Sequence, residues 1–261
     1  MSTNKILLNK IIKGNIFEIT LNNPSRRNPL SLELILLLQK MFDALKTNKK
    51  IKVVLLKSTG PSFCSGHDLK EVKSFSSSNR KLKNLFEKCS KMMMTIRELP
   101  QPVIACVNGI AAAAGCQLVA SCDIAIATKK SFFQTPGVNI GLFCSTPMVA
   151  ISRKISPKDM MYMLLTGEKI SAKLAKEFKL INVVTEEKQF QKEIEALSNK
   201  LIKKSFQSIK IGKIAFYNQL EMPIEKAYDY TSKVMTKNMQ AKDAKEGIEA
   251  FIKKRTPKWS I

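Results

Sequence analysis

Apolar and polar positions along the chain change rhythm once, near residue 155. Before it, short apolar runs alternate with stretches of helical spacing; after it, helical spacing dominates. Ile16–Leu21 (IFEITL) and Val53–Ser58 (VVLLKS) read as buried strands. Between them Leu34, Leu38, Met41 and Leu45 recur at a helical period, with Ser31 placed to cap the helix. Leu82–Leu99 reads as a second amphipathic helix, stopped by Pro100. Pro102–Asn108 and Asp123–Ala127 read as strands flanking a helix of small residues, Gly115–Ser121. Strands that alternate with helices predict an α/β core.

In the last third, helices are expected at Lys158–Leu165, Ser171–Glu177, Lys188–Leu201, Ile224–Lys237 and Asp243–Lys254. Ile224, Ala227, Thr231 and Val234 form one stripe, so this helical region is expected to pack on the core or on another subunit. The expected division is a core over 1–195 and a helical C-terminal region over 196–261. Ser74–Asn79 (SFSSSN) is a candidate mobile flap. The chain shows no internal repeat and no low-complexity linker.

Composition narrows the function classes. A chain of 261 residues with 44% hydrophobic content can bury a substantial core. No apolar run reaches the ~18 residues of a membrane span. The first fifteen residues, with Lys5 and Lys10 but no long apolar stretch, read as mature protein rather than a secretory signal. Six cysteines form no CxxC pair, and His67 is the single histidine, which argues against a zinc site. Buried free thiols in a reducing compartment are the simplest reading. The expected location is cytoplasmic, or the mitochondrial matrix if the source is eukaryotic.

The formal charge is +23, from 44 Lys and Arg against 21 Asp and Glu. The lysines are spread over the whole length, in stretches such as 46–50 and 200–204, with no aromatic-interleaved basic motif. This is a general lysine bias rather than a nucleic-acid site. It still favours a small molecule carrying several phosphates.

The candidate chemistry lies in two segments, Ser62–Glu71 (SFCSGHDLKE) and Asn108–Asp123 (NGIAAAAGCQLVASCD). Each sets small residues beside an expected helix start, where a ligand can approach backbone N–H groups. Two such loops converging on one point would form an oxyanion hole.

Five blocks in order resemble the crotonase superfamily, the enoyl-CoA hydratase/isomerase family. They are ITLNNPSRRNPLS (Ile19 to Ser31), SFCSGHDLKEV, PVIACVNGIAAAAGCQLVASCDIAIAT, MLLTGEKISAKLAKEFKLINVV (Met163 to Val184) and AKEGIEAFIKKRTPKW (Ala244 to Trp259). The GHDL and QLVASCD variants look most like the hydratase-domain-containing mitochondrial proteins and their bacterial relatives. The resemblance implies a spiral of ββα units with a C-terminal helical trimerisation region, and a homotrimer or hexamer. It also implies acyl-CoA thioesters as ligands, with coenzyme A arriving on the substrate and no other cofactor or metal.

Matched residue by residue, the family's two oxyanion donors correspond to the backbone N–H groups of His67 and Ala114, with Ser65, Gly66 and Leu69 around the first. Ala114 stands where glycine is usual, so either its methyl crowds the approach or the backbone is unchanged. His67 contributes its N–H, and its side chain is a second candidate. Asp68 is expected to cap the following helix, and Asp123 to be structural. The two glutamates of the hydratases correspond to Gln117 and Gly137, so both carboxylates are missing. An amide has no useful pKa and shuttles no proton, although Gln117 can orient water or a polar group. Ser145, with Cys144 before it, sits where some relatives place other catalytic groups. Arg26, Arg27 and Leu30 match the loop that contacts coenzyme A, and Lys253, Lys254 and Lys258 match a block that can reach a neighbour's coenzyme A phosphate. The resemblance therefore implies an acyl-CoA-binding, hydratase/isomerase-like protein in which efficient hydration is not expected. A non-catalytic coenzyme A-binding or regulatory protein, a thioesterase or decarboxylase, and an RNA-binding relative are the alternatives.

Overall fold

Strands too short to show a period decide the architecture. The computed structural model describes residues 6–260, so Lys5, on which the N-terminal reading partly rests, lies outside the described residues. The strands are β1 (Leu7–Ile12), β2 (Ile16–Leu21), β3 (Val53–Ser58), β4 (Ser62–Cys64), β5 (Val103–Val107), β6 (Ile110–Ala112), β7 (Ile124–Thr128), β8 (Phe132–Gln134), β9 (Ile170–Ser171) and β10 (Val183–Thr185). One sheet has the order β1-β2-β3-β5-β7-β10, and the other β4-β6-β8-β9. Only β1–β2 and β8–β9 pair antiparallel; every other pair is parallel. The pairs β3–β4, β5–β6 and β7–β8 each place their first strand in the large sheet and their second in the small one. A helical segment then returns the chain to the next pair. These are successive ββα turns of a spiral, as the resemblance implied.

The helices are α1 (Leu32–Lys46), α2 (Leu69–Ser74), α3 (Asn79–Glu98), α4 (Ala114–Ser121), α5 (Ser145–Ile151), α6 (Pro157–Thr166), α7 (Ala172–Glu177), α8 (Phe190–Ile202), α9 (Phe206–Gln219), α10 (Ile224–Met239) and α11 (Lys242–Ile252). Ser31 caps α1 by accepting the Leu34 N–H at 3.3 Å. The large sheet is buried on both faces by simple alternation. Val54, Leu56, Val103, Ala105, Val107, Ala125 and Ala127 face the main core with α1, α3 and α4. Val53, Leu55, Ile104, Cys106 and Ile126 face the other way, against Phe190, Ile194, Leu197 and Leu201 of α8. All six cysteines are free and buried.

Several expectations are corrected. Strand structure does not end near 155, since β9 closes the small sheet and β10 the large one. The helix expected from Leu82 begins at Asn79, capped by the Ser78 hydroxyl. Ser74–Asn79 folds as a hydrogen-bonded turn between α2 and α3. Ser78 N–H donates to Phe75 O at 2.8 Å, and the Ser74 and Ser76 hydroxyls donate to Glu71 O and Lys73 O, both at 2.7 Å. Serines that read as loop-formers instead satisfy helix ends. Sequence periodicity missed α9, where only Ala215 and Tyr217 are buried and Lys213 forms a buried ion pair with Asp123. In the Ile224 stripe only Ala227 is buried, and Ile224 is 72% exposed.

Candidate active site

Two backbone crossings bring the expected donors together. Leu30 and His67 form an isolated parallel bridge. Leu30 N–H donates to Gly66 O at 2.8 Å, and Asp68 N–H donates to Leu30 O at 3.4 Å. In such a bridge the flanking residues supply the bonds, so the N–H of His67 points away from Leu30. Ala114 opens α4, so its N–H has no acceptor within the helix. Ala113 before it has φ +48° and ψ −116°, a conformation that costs a non-glycine residue about 1–3 kcal/mol. The two loops meet at Gly66, which has φ +90°. A Cβ there would stand 3.0 Å from Ala112 O and 3.4 Å from Ala114 N. Gly115 is fixed in the same way, since a Cβ would meet Cys64 O at 2.2 Å. Ala114 is fully buried and belongs to the main core.

Both donors border a cavity of about 470 Å³, together with Ser65, Leu69, Gly137 and Ser145. Phe86, Ile140, Leu142, Phe143 and Cys144 supply most of the remaining wall. No Asp, Glu, Lys or Arg lines this cavity. Its titratable groups are His67 and Cys144. Burial pushes the Cys144 thiol up, against the activation a nucleophile needs. Burial also pulls His67 below its ordinary 6.5, opposed weakly by the Leu30 carbonyl, which lies outside hydrogen-bonding geometry. The imidazole is therefore neutral at pH 7. Both ring nitrogens lack a hydrogen-bond partner, and the ring meets Phe86 edge-on at 5.3 Å. The Ser145 hydroxyl donates to Phe143 O at 3.4 Å, with no base bonded to it among the described residues.

Gln117 does not line this cavity. It lines an adjoining one of about 280 Å³, and Thr146 borders both. Its side-chain oxygen is buried without a partner. Gly137 has no space for a longer side chain, because a Cβ would meet Leu142 O at 2.9 Å and Cys144 Sγ at 3.1 Å.

Asp68 caps α2, accepting from Lys70 N–H at 3.0 Å and Glu71 N–H at 3.5 Å, and it pairs with Arg26 at 2.7 Å. The Glu71 carboxylate accepts the Leu32 N–H at 2.8 Å, at the start of α1. Arg27 (φ +63°) and Asn28 (φ +53°) make the left-handed turn that returns the chain to Leu30, and Arg27 O accepts the Ser65 N–H at 3.1 Å. Sequence reasoning missed Asn28, which is fully buried and ties this loop to the β3–β4 turn. Its Nδ2 donates to Thr59 O at 2.9 Å and Ser62 O at 2.8 Å. The RRN run around it drew attention to charge, not to the amide. Lys253, Lys254 and Lys258 stand apart, at the end of α11. Lys253 pairs with Glu249 at 2.6 Å, and Lys258 N–H donates to Glu246 at 2.7 Å.

A sequence model described as enoyl-CoA hydratase/isomerase matches residues 11–260. The chain belongs to this family, and its spiral is the crotonase fold. Enoyl-CoA hydratase domain-containing protein 3, mitochondrial, of Homo sapiens is 47% identical over 247 residues, covering 94% of this chain and 80% of that protein. The crystal structure of that human protein superposes with a TM-score of 0.93 at 44% identity, covering 98% of this chain and 100% of that one. An enoyl-CoA hydratase structure from Mycobacterium smegmatis gives a TM-score of 0.96 at 42% identity, covering 98% and 99%.

Proposed function

We propose that this protein binds acyl-CoA thioesters and holds the thioester oxygen between the N–H groups of His67 and Ala114. The observation that carries this reading is the convergence of the two loops at Gly66, beside a cavity with apolar walls. Two fixed donors sheltered from water stabilise developing enolate charge, by about 3–4 kcal/mol each. Arg26 pairs with Asp68, the neighbour of the cavity-lining His67 and Leu69, and would meet coenzyme A phosphates from there. Lys253, Lys254 and Lys258 would do so only across an interface.

Hydration needs more than polarisation. A base must take a proton from water, and an acid must deliver one to the adjacent carbon. The thioester cavity has no carboxylate for either task. Enolate stabilisation without a proton shuttle suits decarboxylation or simple binding better than rapid water addition. The exposed apolar faces of α10 and α11, Ile224 and Tyr228 on one and Phe251 and Ile252 on the other, support a trimer or hexamer. No helix among the described residues is long and apolar enough to cross a membrane. The human relative carries mitochondrial in its name, which supports a matrix location should the source be eukaryotic.

Titration calorimetry with crotonyl-CoA and with free crotonate tests the reading. The thioester should bind and the free acid should not, and silence with every short and medium acyl-CoA would overturn it. The carboxylate-free cavity favours one second reading, a coenzyme A-binding protein without turnover. Product analysis after incubation with each bound thioester separates the two.

A further inference from the structure

The cavity beyond Thr146 carries charge that the thioester reading leaves unused. Its walls near Gln117 are apolar, from Met93, Met94, Val149 and Leu220. Its ionic groups are Arg97, Arg153 and Lys154 against one carboxylate, Glu221. Glu221 is shared between two guanidinium groups at long range, 3.4 Å from Arg97 and 3.5 Å from Arg153, so neither has the bidentate partner it can take. Lys154 and Arg97 lie over the Tyr217 ring, at 5.3 Å and 4.9 Å from its centre. Asp123 behind Tyr217 is matched by Lys213 at 2.6 Å and leaves no charge to spare. Burial pulls the Lys154 pKa down, with Asp123 opposing it, which shows an ammonium partly stripped of water. Three cations against one carboxylate leave a net of two positive charges, in a pocket large enough for a short acyl tail.

Gln117 belongs to the same wall. It is 4% exposed, its side-chain oxygen has no partner, and it lies one helical turn beyond Ala114 on α4. A glutamate at 117 would place a negative charge here and repel an anion; the amide does not. Thr146 borders both this cavity and the one assigned above to the thioester.

We propose that this second cavity receives the far carboxylate of a dicarboxylic acyl-CoA, an acyl chain with coenzyme A at one end and a free carboxylate at the other. The proposal rests on the acyl-CoA reading, with the thioester between His67 and Ala114. Arg97, Arg153 and Lys154 supply the cationic end, and Gln117 a neutral hydrogen-bonding group beside the path.

Calorimetry on matched pairs tests it. Glutaryl-CoA and adipoyl-CoA are compared with 5-methylhexanoyl-CoA and 6-methylheptanoyl-CoA, in which two methyl groups replace the two carboxylate oxygens. The dicarboxylic thioester of at least one pair should bind roughly tenfold or more tightly, as charge-assisted contacts to a carboxylate allow. Lys154→Met and Arg153→Met should each shrink that ratio towards one. Glu221→Gln, which frees both guanidinium groups, should widen it. Equal affinity within both pairs, or a ratio that no variant moves, overturns the proposal and leaves the acyl-CoA reading standing. Failure of all four thioesters to bind overturns both.

Discussion

The Lys213 ammonium lies 2.6 Å from the Asp123 carboxylate, and this contact fastens α9 to the spiral. Lys213 also donates to Gln101 O at 2.8 Å and Ile96 O at 3.0 Å, using all three of its hydrogens. Asp123 takes the Val103 N–H at 2.7 Å and the Tyr217 hydroxyl at 2.9 Å. Burial pulls the lysine pKa down and the aspartate holds it up. Removing one member of such a pair strands the other without a counter-charge, so Lys213→Met should lose about 3–5 kcal/mol in urea denaturation. The double variant with Asp123→Asn should recover part of that loss.

Crotonyl-CoA hydration should be slow. General acid–base groups each contribute ~10²–10⁴-fold, and no carboxylate among the described residues lines the cavity beside His67 and Ala114. Spectrophotometric assay at the enoyl thioester band should give a turnover far below ~10 s⁻¹, a typical enzyme value. A rate at or above that level would make His67, the titratable group beside the oxyanion donors, the first suspect for the base, ahead of Asp68 and Glu71.

Restoring the glutamates one at a time should give unequal results. Gln117→Glu keeps the side-chain size, so its cost is confined to desolvating a carboxylate in a cavity that also holds Arg97, Arg153 and Lys154. Gly137→Glu forces a Cβ to within 2.9 Å of Leu142 O, and overpacking of this kind costs about 1–3 kcal/mol. Thermal melts of the two variants side by side check this asymmetry.

Gly66→Ala should abolish thioester binding. The new methyl would adopt a strained φ of +90° and press against Ala112 O and Ala113 Cβ at 3.0 Å, between the two donor loops. A loss of tenfold or more in crotonyl-CoA affinity is expected. Circular dichroism on the same sample shows whether the fold persists.

Stability should depend on His67 below pH 6.5. Its folded pKa lies under the ordinary 6.5, so between those values the unfolded chain binds a proton that the folded chain does not. Stability therefore falls as pH drops through 6.5, by at most about 1.4 kcal/mol per pH unit, and the loss is complete below the folded pKa. His67→Asn should flatten urea-midpoint profiles in that window. An unchanged slope would place the proton uptake elsewhere.

The sequence by itself determined the long buried strands β2, β3, β5 and β7 and the amphipathic helices α1 and α3, because each repeats its apolar period over enough residues to read. It also determined the family, through five ordered blocks. Capping by Ser31 and Asp68 was legible, since a cap depends on neighbours within three residues. The tertiary structure alone decided the second sheet, whose strands of two or three residues carry no period of their own. Only the folded chain joins Leu30 to His67 and sets Gly66 beside Ala114, contacts between segments that sequence spacing does not relate. Burial, likewise a property of the fold, sets the His67 pKa, closes the Gly137 position and gathers Arg97, Arg153 and Lys154 around one cavity. Local propensity fixes the pieces, while long-range packing fixes which backbone groups face a common point.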